Sequence, residues 1–88
     1  MIVAFTKSFE SSLNRLPHKE AAQLAVERLI GAFEKNIKPD GLGLKKLKDD
    51  IWEIRAGIKT RVLFVLFPGE IRFLLVGSHD EIRNYLKR

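Results

Sequence analysis

Glu53, Arg55 and Arg61 are the residues whose types and spacing first suggest chemistry. Ile51-Trp52-Glu53-Ile54-Arg55 alternates apolar with charged residues. That is the period of a strand, so Glu53 and Arg55 share one face while Trp52 and Ile54 share the other. In the apolar run that follows, Arg61, Leu63, Val65 and Phe67 fall on one face and Val62, Phe64 and Leu66 on the other. If Val62, Phe64 and Leu66 pack beneath helices with Trp52 and Ile54, Arg61 joins Glu53 and Arg55 on the open face. A charged cluster would form there, whose Arg side chains suit a phosphate backbone. The plainer alternative is three solvated sheet residues, or cross-strand ion pairs.

His79 follows the last strand at the start of a helix, where an imidazole can reach an active face and exchange protons near neutral pH. It can equally be a surface histidine. Tyr85 can stack on a base, yet its spacing with Ile82 and Leu86 fits core packing just as well. Lys45, Lys46 and Lys48 form a basic loop beside the charged face, suited to a phosphate backbone or simply to solvent. No metal site is expected, because His18 and His79 are far apart and no tight His/Asp/Glu spacing joins them. Neither a phosphate-cradling glycine motif nor a nucleophile triad is present.

The elements that must position these residues follow from periodicity. Ile2-Val3-Ala4-Phe5 reads as a first strand, with Thr6 as the cap of a helix over Lys7 to Asn14. Phe9, Leu13 and Leu16 share a helical face, and Pro17 suits the first position of the next helix. From Lys19 to Lys35, Ala22, Ala25, Val26, Leu29, Ala32 and Phe33 keep helical spacing. Asn36 to Gly43, with Pro39 and two glycines, is a loop. Three strands then follow, at 51–55, 60–67 and 70–77, joined by connections too short for anything but antiparallel neighbours. Ser78-His79-Asp80-Glu81 has the spacing of a capping box, and Ile82, Tyr85 and Leu86 put an apolar stripe on a final helix. The expected fold is α+β, in the order βααβββα, with a mainly antiparallel sheet and helices on one face.

Length and composition bound the function. Eighty-eight residues make one domain, spanning 1–88, whose function sits on the surface of a single core. At 45% hydrophobic and 31% charged residues the chain is a folding one. Without cysteine it has no disulfide framework, and Met1-Ile2-Val3 opens no signal-peptide pattern. A soluble, unprocessed, cytoplasmic protein with no membrane association is expected. The net charge of +5 favours a polyanion or an acidic partner protein. Residues 1–43 carry six Lys/Arg against five Asp/Glu and residues 44–88 carry ten against six, so +4 of the excess lies with the strands.

The stretches Gly43-Leu44-Lys45-Lys46-Leu47, Asp50-Ile51-Trp52-Glu53-Ile54-Arg55 and Thr60-Arg61-Val62-Leu63-Phe64 resemble the RelE/ParE toxin superfamily, and the likeness extends over nearly the whole chain. It implies the toxin of a type II toxin-antitoxin system, partnered by a cognate antitoxin in a possible hetero-oligomer. In the RNA-cleaving branch such a toxin acts on ribosome-bound messenger RNA with no metal or other cofactor, through attack of a ribose 2′-hydroxyl on the adjacent phosphate. The superfamily also includes non-enzymatic inhibitors of DNA gyrase, and a decayed toxin that only binds its antitoxin is a third reading. Arg61 matches the arginine that RNA-cleaving members place at the start of this strand. Glu53 and Arg55 stand where one group has paired lysines, so Arg55 keeps a cation and Glu53 reverses the charge. His79 lies near a histidine used as general acid in a group similar to the YoeB toxin, and Tyr85 matches a RelE-like tyrosine in the terminal helix. The resemblance thus implies Glu53 as base, His79 as acid, and Arg61, Arg55 and Tyr85 in support.

Overall fold

The strand Arg61–Phe67 (β4) carries Val62, Leu63 and Phe64 in succession, all with 0% exposure. Consecutive strand residues point to opposite faces, so both faces of the sheet are covered at this point. In the computed structural model, which describes residues 1–87, β4 is the middle of five strands. The chain order is β1 (Ile2–Phe5), α1 (Lys7–Arg15), α2 (Glu20–Glu34), β2 (Lys45–Lys48), β3 (Ile51–Arg55), β4, β5 (Glu70–Gly77) and α3 (His79–Leu86). The spatial order is β1-β5-β4-β3-β2, antiparallel except for β1 beside β5. The α+β reading and the mainly antiparallel sheet hold, with one added element. The expected basic loop is an edge strand, β2, paired with β3.

The first face is the main core. Ile54, Val62, Phe64, Ile71, Phe73 and Val76 pack with Phe9 of α1 and Ala22, Ala25, Val26 and Leu29 of α2, the apolar stripe that helical spacing predicts. Phe73 anchors an aromatic cluster, with Phe5, Phe9 and Phe64 at centroid distances of 5.3, 5.6 and 5.9 Å. Trp52 and Leu66 pack against it, as strand parity requires.

Thr6 caps α1 by accepting from the Phe9 amide at 3.1 Å, and its hydroxyl also donates to the Phe73 carbonyl at 2.9 Å. The expected helix at Lys7 therefore forms, tied at once to β5. Pro17 is a correction. It lies in the connection before α2, which starts three residues later with Lys19 as its N-cap; Leu16, extended before the proline (ψ 137°), ends α1 instead. At 2% exposure, Ser12 is a polar residue inside the α1–β5 contact. Its hydroxyl accepts from the buried Val76 amide at 3.0 Å and donates toward the carbonyls of Ser8 and Phe9. Ser12→Ala strands that amide, and a loss of about 1–3 kcal/mol is expected in denaturant titration.

The expectation of helices on one face is corrected by the final helix, which lies against the second face. Gly77 pairs with Arg61, so a Cβ on Gly77 would project on the face of the Arg61 side chain, and there it would meet the Glu81 carboxylate at 3.0 Å. Leu63 and Ile82 are buried but stand outside the main cluster, and α3 touches both β4 and β5. The first turn of α3 thus covers the second face beside Arg61. The capping box is complete, with Ser78 Oγ accepting from the Glu81 amide and Glu81 accepting from the Ser78 amide. Among the described residues no helix is long and apolar enough to cross a membrane.

Candidate functional site

Backbone register brings Glu53, Arg55 and Arg61 onto one face. Arg55 stands directly opposite Arg61, and Glu53 opposite Leu63, one diagonal step away. Arg61 Nη1 donates to Glu53 Oε2 at 2.7 Å. Glu53 is not a solvated sheet residue, because its side chain is only 3% exposed against 20% for Arg61. A carboxylate this buried is retained only with a charged partner beside it, and Arg61 is that partner.

The unused valences of this pair matter most. Among the described residues, the one sealed-off side-chain nitrogen or oxygen without a hydrogen-bond partner is Arg61 Nε. Among the described residues Glu53 Oε1 has no hydrogen-bond partner either. Glu53 therefore engages one guanidinium nitrogen and leaves the Nε–Nη2 edge of Arg61, the fork that matches two oxygens of a phosphate. Arg55 is exposed, its stem against Gly43, where a Cβ would come within 3.1 Å of Arg55 Cγ. Two like charges directly opposite in a sheet repel, and an anion placed between them reverses the sign.

His79 is exposed two residues beyond Gly77, the register partner of Arg61. Arg83, four residues on, directs Nη2 to His79 Nε2 at 2.9 Å. Arg83 was missed in the sequence, although an i,i+4 pair on a helix is a readable signal. Tyr85 lies further along α3. It is half-buried in a groove of about 530 Å³ between α1 and α3, with Lys7, Ser8, Arg15 and Leu75.

The lysines divide between the two faces. Lys45 pairs with Glu53 and shares its face, whereas Lys46 pairs with Trp52 and places Nζ 5.8 Å from the indole centroid on the other face. A bulge between Lys46 and Lys48 then returns Lys48 to the Glu53 side, opposite Ile51. The site face thus carries Lys45 and Lys48, but not Lys46. Among the described residues no cluster of His, Cys, Asp and Glu could hold a metal ion.

Comparison with solved structures bears on the fold. A copper-bound mutant toxin from Helicobacter pylori superposes with a TM-score of 0.76 at 19% identity, covering 93% of this chain and 98% of the other. The RelB-RelE antitoxin-toxin complex from Methanococcus jannaschii matches with a TM-score of 0.71 at 21% identity, over 93% and 96% of the two chains. The fold is that of RelE-like toxins. A YoeB dimer from Staphylococcus aureus shares it, with a TM-score of 0.70 at 13% identity over 90% and 97%. No family model and no curated protein matches the sequence. The RelE-like likeness is therefore one of fold, and any activity must be argued from the residues.

Proposed function

We propose that this chain is the toxin of a type II toxin-antitoxin pair and cleaves messenger RNA on the ribosome, without a metal. The observation that carries this reading is the buried Glu53–Arg61 pair on a cationic sheet face, with one carboxylate oxygen and one guanidinium edge left unused. The RelE-like fold and the antitoxin complexes among its structural neighbours support the toxin role and an antitoxin partner. Glu53 Oε1 takes the proton of a ribose 2′-hydroxyl, and the resulting oxygen attacks the adjacent phosphorus. The Arg61 edge, with Arg55 across from it, stabilises charge on the non-bridging oxygens. The P–O5′ bond breaks and His79 protonates the leaving oxygen. The products are a 2′,3′-cyclic phosphate and a 5′-hydroxyl. Nε of Arg61 is closed off in the free protein, so substrate engagement requires a local shift beside it, and the first turn of α3 is the adjoining element.

Inducing the chain in cells and mapping messenger RNA ends tests this reading. Growth arrest with new cuts in translated messages is expected, lost in Arg61→Ala and His79→Ala. Arrest with intact messages would point instead to an inhibitor of another target such as gyrase. The division of the lysines adds a finer expectation. Lys45→Ala should weaken RNA binding and lower the slope of log affinity against log salt by about 1, while Lys46→Ala changes neither. Salt-dependent anisotropy titrations check both.

A further inference from the structure

The site face continues well beyond the ion pair. Arg61, Leu63, Val65 and Phe67 lie in line along β4, and six residues of strand set Phe67 about 20 Å from Arg61. Phe67 is 38% exposed at the far end of that line. It is held there by the Pro68-Gly69 turn, whose glycine at φ +78° has the geometry of the third position of a type II turn. Arg72 lies over its ring, with Cζ 5.5 Å from the centroid. Glu70 engages that guanidinium through both Nε and Nη2, at 2.9 and 2.8 Å.

A single exposed phenylalanine is ordinary on a protein surface. Three features set this one apart: it lies in line with Arg61, it has a cation stacked on it, and that cation is already neutralised. Because Glu70 meets the charge of Arg72, the pair offers a flat π surface more than a free positive charge. Lys45 and Lys48 run alongside on β2, on the same face. Cations that track a backbone beside an aromatic platform are the pattern by which single-stranded nucleic acid is held without sequence readout.

We infer that Phe67, braced by Arg72, is a base-stacking platform for the RNA strand whose phosphate sits at Arg61, a few nucleotides along the chain. This rests on the RNA-cleaving reading and adds to it a binding subsite and a direction for the strand along β4. Next to Arg61 the line passes beneath α3 at fully buried Leu63, and the apolar floor from there to Phe67 is half-buried Val65 and Ile51, which pair across β3 and β4. An acidic peptide is the competing occupant, and the neutralised Arg72 argues against it.

The test uses fluorescein-labelled, uncleavable 2′-O-methyl oligoadenylates, a dinucleotide and an octanucleotide, titrated against the full chain by anisotropy. Only the longer probe spans from Arg61 to Phe67. Wild type should bind the octanucleotide more tightly than the dinucleotide. Phe67→Ala should lose about ten-fold or more of the octanucleotide affinity, with dinucleotide binding unchanged. Phe67→Trp should restore it, and Phe67→Leu, which keeps apolar bulk without a π face, should not. Equal binding of the octanucleotide by Phe67→Ala and wild type would overturn the platform, as would no measurable binding by wild type. So would a Phe67→Ala defect confined to an acidic peptide. Cleavage of ribosome-bound messages, assayed separately, distinguishes the two failures. Cleavage with no Phe67 effect removes the platform alone, and a Phe67-dependent length gain without cleavage removes the nuclease reading alone.

Discussion

Arg61→Ala is expected to lower RNA cleavage by about 10²–10³-fold and, unlike most losses of a surface arginine, to destabilise the fold as well. The two effects have one origin. Glu53 is 3% exposed and its bond to Arg61 is 2.7 Å, so removing the arginine leaves a buried carboxylate without its counter-charge. Breaking one side of such a pair costs about 3–5 kcal/mol, far more than the pair contributes relative to an apolar replacement. Arg61→Lys separates the effects, because a lysine keeps a charge beside Glu53 but lacks the planar fork. Thermal melts should show stability largely recovered in Arg61→Lys, with cleavage still depressed. Equal recovery of both would mean that the Nε–Nη2 edge has no role in holding the phosphate.

Glu53→Gln is the second large effect. The amide is nearly isosteric and still offers Arg61 an oxygen, so the fold should melt close to wild type. It cannot take the 2′-hydroxyl proton, and loss of a positioned base lowers the rate by about 10²–10⁴-fold. Single-turnover cleavage with binding measured in parallel shows the fall in rate without a matching fall in affinity. Wild-type cleavage by Glu53→Gln would make the ion pair a structural feature of the sheet and would require another base.

Much of this architecture was legible in residue order. Alternation in Ile51 to Arg55 and in Arg61 to Phe67 put Glu53, Arg55 and Arg61 on one face, and register confirms it. The capping box at Ser78 and Glu81 and the apolar stripe of α2 were likewise visible, because each is set by neighbours in sequence. β2 was hidden for a physical reason. Lys45-Lys46-Leu47-Lys48 lacks the apolar alternation of a half-buried strand, since an edge strand gains from charge that discourages further pairing. The bulge that turns Lys48 toward Glu53 and leaves Lys46 over Trp52 depends on pairing with β3, which composition does not encode. The position of Tyr85 was hidden in the same way. It depends on α3 crossing toward α1, a tertiary relation. The burial of Glu53 also needed the fold, because it depends on Arg61 being brought beside it by the β3–β4 register.

The most direct measurement is end-group analysis of messenger RNA cut by the purified chain on translating ribosomes, with the nucleotide 5′ to the cut either natural or 2′-deoxy. Fragments ending in 2′,3′-cyclic phosphate and 5′-hydroxyl are expected from the natural message, none from the deoxy message, and none from Glu53→Gln at matched time. Cleavage of the deoxy message, or 5′-phosphate ends, would contradict attack by the 2′-hydroxyl. Intact RNA from a folded wild-type chain would contradict the assignment of the Glu53–Arg61 face as an RNA-cleaving site.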